Sequence, residues 1–585
     1  MLIALPDHTS VYARWRTAGL GLVLLCALVL VPGLMTIGPV DRDESRFAQA
    51  SRQMVESGDW VVPRVQDRAR LNKPPLVYWL QSLSVKALGD PEGTADGNIW
   101  VFRVPSAVCA LLTVLATWRL GLRLFDPRAA MLGAALLAVS PMLVWDAHQA
   151  RADQLLLLTV VLAQRGLFEI ASRALAGRRA GLVWPMVFWI AVAAGILAKG
   201  PITPMIALLT ALALSVLARR AGWMWASRPV LGLVILIALV GPWIGAVVAR
   251  VGLGEYWSIV YAETLGRSAE PAEGHWGPPG YHLVAVCVLF WPGVLLTAAA
   301  VRRGVSRGVR LKPLRVARRP EAFLLAWVLP TWLVFELVST KLPHYTLPLY
   351  PALALLSARA VFAAQAGSLQ HATSLGARLG FVLWGVIGVL ALGGVTIASL
   401  LPSVRGGAAS GLMPATTTLI AAGAIVLAVL VVVPLATLAA VRGRVLKAQL
   451  IAVALTAAWG AVFLHAVLPA SPALWVSPRL AKVLREADPP RDDRAPASIG
   501  LVGYHEDSAI FLTRGRARRL DAPDVRSFLA RNRRALVAID RERIKRAGGE
   551  DLGAIDELEW LGSVRGFNYS TGKPVSIDVY RKGPP

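Results

Sequence analysis

Five ionisable side chains fall within six positions directly after the first apolar run: Asp41, Arg42, Asp43, Glu44 and Arg46, in GPVDRDESRF. Asp41 and Asp43 form a D-x-D, a pattern that holds a metal ion in soluble sugar-nucleotide enzymes. A carboxylate beside an exposed cleft can also take a proton from an attacking hydroxyl or steady a positive transition state. Further along stand Lys73 in LNKPPL, Arg151 and Asp153 in ARAD, and Lys199 in AKGP. Glu263, Arg267 and His275 share one loop, and Lys341, His344 and Tyr345 share STKLPHY. Cations interleaved with carboxylates suit a reaction in which an anionic group leaves, because the departing charge needs a positive partner.

Each of these residues also has a plainer reading. Asp43 is well suited to cap a helix over residues 44–57, which leaves Arg46 as a surface partner for a neighbouring acid. Lys199 and Lys341 are placed to snorkel to a membrane interface. His275, next to Trp276, fits an interface anchor as well as a ligand. His465 reads as a packing residue.

The elements that position these groups are membrane helices. The chain has 585 residues, 56% of them hydrophobic and 17% charged, with a mean hydropathy of +0.56. A soluble chain carries about a quarter charged residues. Apolar runs long enough to cross a bilayer lie near 17–38, 99–121, 129–145, 154–171, 181–198, 201–218, 229–249, 280–300, 321–339, 346–365, 378–401, 413–440 and 448–469, about thirteen in all. Residues 17–38 are too long for a signal-peptide core and lack a small-x-small cleavage site, so they read as a first span. The net charge of +25 does not point to nucleic acid, because the basic residues sit in short clusters between apolar runs. Cys26, Cys109 and Cys287 are far apart and inside apolar runs, without metal or disulfide spacing.

Alternate loops differ in charge. The loop 301–320 holds eight Lys/Arg and no acid, and those after the second, fourth, sixth and twelfth spans are also basic. The short loops between carry one each: Arg151, Lys199, Lys341 and Arg405. The positive-inside rule then puts the N-terminus in the cytoplasm. Residues 39–98, 250–280 and the tail face outward, together with nearly every candidate residue. Within 39–98, a helix over 44–57 gathers Phe47, Ala50, Met54 and Val55 on one face and stops at Gly58. A second follows Pro74-Pro75 with Leu76, Leu80, Leu83 and Leu88. Both read as helices lying in the membrane interface. Residues 1–474 form the membrane domain. Residues 475–585, charged and with β-rich runs SIGLVGY, ALVAID and VSIDVYR, read as a small α/β domain.

Taken together, DExRF, NKPPL, ARAD, AKGP and STKLPHYTLPLYP resemble the signature of the integral-membrane GT-C glycosyltransferases. The chain is similar to the dolichyl-phosphate-mannose–protein mannosyltransferase family, in particular its bacterial branch that transfers aminoarabinose to lipid A. The resemblance runs in order through the membrane part. It implies a sugar donor on a polyprenyl (undecaprenyl) phosphate and an acceptor in the envelope, lipid A first, at the periplasmic face of the inner membrane. It makes Asp43 the essential first-loop aspartate and Asp153 a second functional carboxylate; Glu44, beside Asp43, is a further candidate carboxylate by position. The resemblance makes Lys73 the donor-phosphate lysine and places Tyr345 at the family's tyrosine, while charge and place in the chain add Arg46, Lys199, Arg267 and Lys341 as substrate contacts. It also raises a divalent metal, with His275 as a site histidine. Two departures stand out. Asn72 occupies the place of an acidic residue implicated in metal binding, and Phe47 that of a frequent tyrosine. Protein O-mannosyl transfer or transfer to another envelope glycan would use the same groups. A polyprenyl-lipid flippase or transporter fits less well, because the charges gather at one end of the spans and not at mid-membrane. A polysaccharide ligase should show its dominant outer loop later in the chain.

Overall fold

Apolar runs become helices here, and proline and glycine decide where they break. The computed structural model describes residues 8–89, 99–266, 277–308, 319–367, 374–405, 412–489, 495–546 and 557–583. Among them, eight helices are long and apolar enough to span a membrane, or nine if one bent pair counts as a single span. This is fewer than the thirteen apolar runs, and the reason is local. The run 17–38 is helical only in α1, His8–Leu30, and then turns. The run 129–145 is split into α5, Pro127–Ala138, and α6, Pro141–Ala147, bent by 56° where Pro141 interrupts the ladder. The run 280–300 is broken between Tyr281–Leu289 and Thr297–Gly308 around Pro292 and Gly293. Two other runs form helices of 17 residues, Val183–Lys199 (α8) and Ile202–Ala218.

The outer loop gives α2, Asp43–Ser57, a two-strand hairpin (β1, Arg64–Val65; β2, Arg68–Ala69) and α3, Leu76–Leu88. Helix α2 ends as expected: Gly58 is left-handed (φ 70°) and its N–H bonds Met54 O. Its apolar face, however, is covered by protein. Phe47, Ala50 and Met54 pack with Val77 and Tyr78 of α3, while Ala48 on another face meets Phe511 of the tail. With Ser45, Gln49 and Ser51 buried too, α2 is enclosed between membrane part and tail. Helix α3 keeps an outward apolar edge. Its Leu83 and Leu88 are exposed, and Gln81 and Ser82 are buried.

Two membrane helices carry the floor of the site, α4, Ile99–Leu124, and α7, Asp153–Ala174. The tail forms a five-stranded sheet in the order β4-β3-β5-β7-β6. Its strands are β3, Ser498–Val502; β4, Ala517–Leu520; β5, Ala535–Asp540; β6, Leu558–Asn568; and β7, Lys573–Lys582. β3 pairs in parallel with β4 and β5, and β7 runs antiparallel to β5 and β6. One sheet face packs on the Val476–Ala487 helix and the other on the Asp524–Arg531 helix.

Candidate active site

Four membrane-side elements bring their ends to one charged cluster, the cleft of the site: the start of α2, the hairpin loop before α3, the junction between α6 and α7, and the end of α8. Asp43 stands at its centre. Its carboxylate lies 3.5 Å from Arg70 Nη2 and 3.7 Å from Arg151 Nη2, and its side chain is 43% exposed. Burial works against its ionisation, but Arg151, Arg70, Lys73 and Lys199 outweigh that and hold the carboxyl down at about 2. The helix-cap reading fails. Arg42 is the residue that precedes the helix, and the one hydrogen bond described for Asp43's carboxylate comes from Arg70.

Asp153, at the first turn of α7, meets Lys199 Nζ of α8 directly. Arg151 Nη2 lies 3.4 Å from Asp153 Oδ2 and 3.2 Å from His344 Nε2. His344 Nε2 is in turn 3.7 Å from Asp153 Oδ1. Lys73 Nζ pairs with Glu263 at 2.9 Å. Thus Asp43, Lys73, Asp153 and Lys199, which are scattered in sequence, share one electrostatic neighbourhood.

The other expected residues are placed elsewhere. Glu44 is sealed from the cleft. Its carboxylate accepts from Arg103 Nε at 2.8 Å, Arg103 Nη2 at 2.9 Å, Ala150 N at 2.8 Å and Val40 N at 2.7 Å. With both groups fully buried, Glu44 anchors the loop to α4 and stands apart from Asp43 and its cations. Arg46 turns to the tail and bonds Asp507 Oδ2 at 2.7 Å, so it is not with the donor-phosphate cations. Lys341 donates to Glu336 O at 2.7 Å and Val338 O at 2.9 Å, satisfying carbonyls at the end of the Pro320–Leu337 helix. Tyr345 packs its ring against His344 and Phe335. Arg267 and His275 lie outside the described residues.

Two members of the cluster were not singled out from the sequence. Arg70 donates to Tyr78 Oη at 3.1 Å and stacks over Phe47 at 5.1 Å, which fixes its guanidinium beside Asp43. Its basic neighbours Arg64 and Arg68 disguise it as one of a charged loop. Asp146 is fully buried, its carboxylate 3.8 Å from Arg151 Nη1. A lone acid at the edge of an apolar run was the available signal.

The D-x-D does not converge. Arg42 adopts φ 65°, so Asp41 turns to the tail while Asp43 turns to the cleft. The donor set fits a divalent metal poorly. Asn72 offers a single buried, unbonded amide oxygen, and the carboxylates around the cleft are already faced by Arg and Lys. Among the described residues no three His, Cys, Asp or Glu groups are placed to hold an ion.

Comparison with known proteins agrees with this architecture. Residues 72–245 match the dolichyl-phosphate-mannose-protein mannosyltransferase family. The chain is 30% identical over 351 residues to the undecaprenyl phosphate-alpha-4-amino-4-deoxy-L-arabinose arabinosyl transferase of Edwardsiella ictaluri, covering 59% of each. It is 28% identical over 379 residues to the enzyme of that name from Pectobacterium atrosepticum, covering 63% of this chain and 64% of that one. In both cases the match spans less than two thirds of the relative. The crystal structure of ArnT from Cupriavidus metallidurans bound to undecaprenyl phosphate superposes with a TM-score of 0.73 at 18% identity, covering 98% of this chain and 99% of that one. The chain has the ArnT fold. This is a GT-C glycosyltransferase fold, and the chain resembles the aminoarabinose transferases. On this ArnT-like frame, the family match contains Lys73, Arg151, Asp153 and Lys199, whereas Asp43 lies before it.

Proposed function

We propose that the protein is a glycosyltransferase that moves a sugar, aminoarabinose-like, from a polyprenyl phosphate to lipid A. The observation that carries this reading is one ionised carboxylate, Asp43, facing Arg70, Lys73, Arg151 and Lys199 in a cleft beside membrane helices. Nucleotide sugars are absent outside the inner membrane, so a lipid must bring the donor. An acceptor oxygen attacks the anomeric carbon, the bond to the donor phosphate breaks, and the phosphate leaves with the electron pair. Lys73 and its neighbouring cations neutralise that charge. The names of the similar enzymes support the donor and the pentosyl class.

A carboxyl held at about 2 is a weak base, far from the value that general-base work at neutral pH favours. It is better suited to orienting the sugar and steadying positive charge at the anomeric carbon. That favours an acceptor whose attacking oxygen is already ionised, such as a phosphate of lipid A, over a protein hydroxyl. Mass spectrometry of lipid A, polyprenyl-phosphate sugars and envelope proteins, with and without the gene, tests the reading. Unmodified lipid A in both strains, with a lost protein glycan, would replace it by protein O-glycosylation.

Lys73→Ala should weaken donor use by roughly 1.5–3 kcal/mol, the scale of a charge-assisted contact. Lys73→Arg should keep part of it. An alanine variant with unchanged apparent affinity for the polyprenyl-phosphate sugar removes Lys73 from the donor site.

The proposal places the N-terminus in the cytoplasm and the tail in the periplasm. Reporter fusions at residues 310 and 480 should therefore give opposite signals, and matching signals would overturn this orientation.

A further inference from the structure

Asp41 takes no part in the cleft, yet it is held at several points. Ser508 Oγ donates to its Oδ1, and Ser508 N does so at 3.2 Å. Asp41 N donates to Tyr569 Oη at 2.9 Å. Behind Ser508 the hydroxyls continue, to Ser477 Oγ at 2.5 Å and from there to Tyr504 Oη at 2.7 Å. Arg42 Nη2 reaches Ser570 O at 3.3 Å. The loop that presents Tyr569 and Ser570 is itself shaped by Asn568, whose Oδ1 accepts from Ser570 N and Thr571 N and whose Nδ2 donates to Glu506. The groups that fix Asp41 therefore come from the tail.

The next residue, Arg42, is left-handed at φ 65°. A non-glycine side chain in that region is strained and persists only where its surroundings over-determine it. On the far side, Glu44 is pinned by Arg103. Asp43 lies between these two clamps, and its own ionic contacts are long, at 3.5 and 3.7 Å. Its aim is thus set less by what it touches than by the residues on either side. The membrane part supplies one clamp and the tail the other.

We propose that Asp41 and Ser508 are positioning residues for Asp43, and that the tail domain completes the cleft by latching the turn from which Asp43 projects. The proposal rests on the glycosyl-transfer reading. A plain docking role for the latch would affect only how firmly the tail is attached.

Three full-length variants separate these: Asp41→Ala, Asp41→Asn and Ser508→Ala. Misplacing a reacting group by about 1 Å costs up to about a hundredfold in rate. Asp41→Ala should lower kcat for transfer from polyprenyl-phosphate sugar by roughly tenfold or more, with donor KM within about twofold. Ser508→Ala should move the same way. Asp41→Asn keeps an oxygen that can accept from Ser508 and should recover most of the lost kcat. Hydrogen exchange supplies a readout that needs no turnover: amides 40–46 should exchange faster in Asp41→Ala at an unchanged thermal midpoint. Wild-type kcat in Asp41→Ala overturns the proposal, as does a kcat loss that only tracks a fall in thermal midpoint. If the wild type transfers no sugar, the functional reading fails and exchange alone decides the latch. Unchanged exchange at 40–46 then overturns it.

Discussion

Asp43→Asn should fold and insert normally and turn over at least about a hundredfold more slowly than wild type. The substitution is nearly isosteric. The helix it begins does not depend on it, since the carboxylate bonds Arg70 and not the helix backbone. What is lost is a negative charge facing Arg70, Lys73, Arg151 and Lys199. Losing one group that stabilises transition-state charge typically costs a hundredfold to a thousandfold in kcat. Asp43→Glu keeps the charge, moves it by one methylene, and should also be badly impaired. The sign of the pH dependence follows from the lowered pKa. Asp43 is ionised above its unfolded value near 3.8, and the stability it gains from its cations is lost only as pH falls through about 2. An acidic limb in the rate between pH 4 and 7 must therefore come from another group. Purified protein assayed for sugar transfer and thermal unfolding checks both parts. A well-folded Asp43→Asn variant at wild-type rate would move the chemistry to Asp153.

Arg103→Ala should be the most destabilising single change at the site's foundation. Arg103 pairs with Glu44 through two hydrogen bonds and also donates to Leu34 O at 3.1 Å, Ile37 O at 2.8 Å and Gly38 O at 2.8 Å. Removing one partner of a fully buried ion pair strands the other and costs about 3–5 kcal/mol. Three carbonyls would lose their donor as well. Against a total stability of about 5–15 kcal/mol, this removes a large share of the margin, so folded yield and thermal midpoint should both fall. Glu44→Gln in the same background removes the stranded charge and should recover part of the loss. Folded yield from membranes and thermal midpoints are the measurements. An Arg103→Ala protein that melts at the wild-type temperature would show that the anchor is not needed.

These two expectations also mark what the sequence could disclose. Asp43, Asp153 and Lys199 were legible because each is a charge at the end of an apolar run, and a bundle gathers such ends; Lys73 was legible as the lone cation of LNKPPL, just before the proline pair. Glu44 and Arg46 part from Asp43 because neighbours on a helix point about 100° apart. From the same turn Asp43 enters the cleft, Glu44 the core, and Arg46 the tail. The partner of Arg46, Asp507, is 461 residues away, so local pattern cannot reveal it. The covering of the α2 apolar face by α3 and its neighbours was hidden in the same way, since an apolar face looks the same whether lipid or protein covers it. In the tail, SIGLVGY, ALVAID and VSIDVYR became β3, β5 and β7. The strands not singled out, β4 and β6, lie at the two edges of the sheet, where exposed charged residues such as Arg518 and Arg565 dilute the apolar signal.

If Lys73 takes the donor phosphate as proposed, its pairing with Glu263 makes donor binding an ion exchange. A phosphate entering there displaces a carboxylate, so the lysine changes counter-ions and is never a bare cation beside the bilayer. Anions that hold an ammonium no better than a tethered carboxylate does gain nothing by entering. The free lipid phosphate left after transfer carries more charge than the diester that came in, and it must be expelled against the attraction that helped it form. Glu263, on its own tether and always at hand, is the competitor that can return to Lys73 and ease that departure.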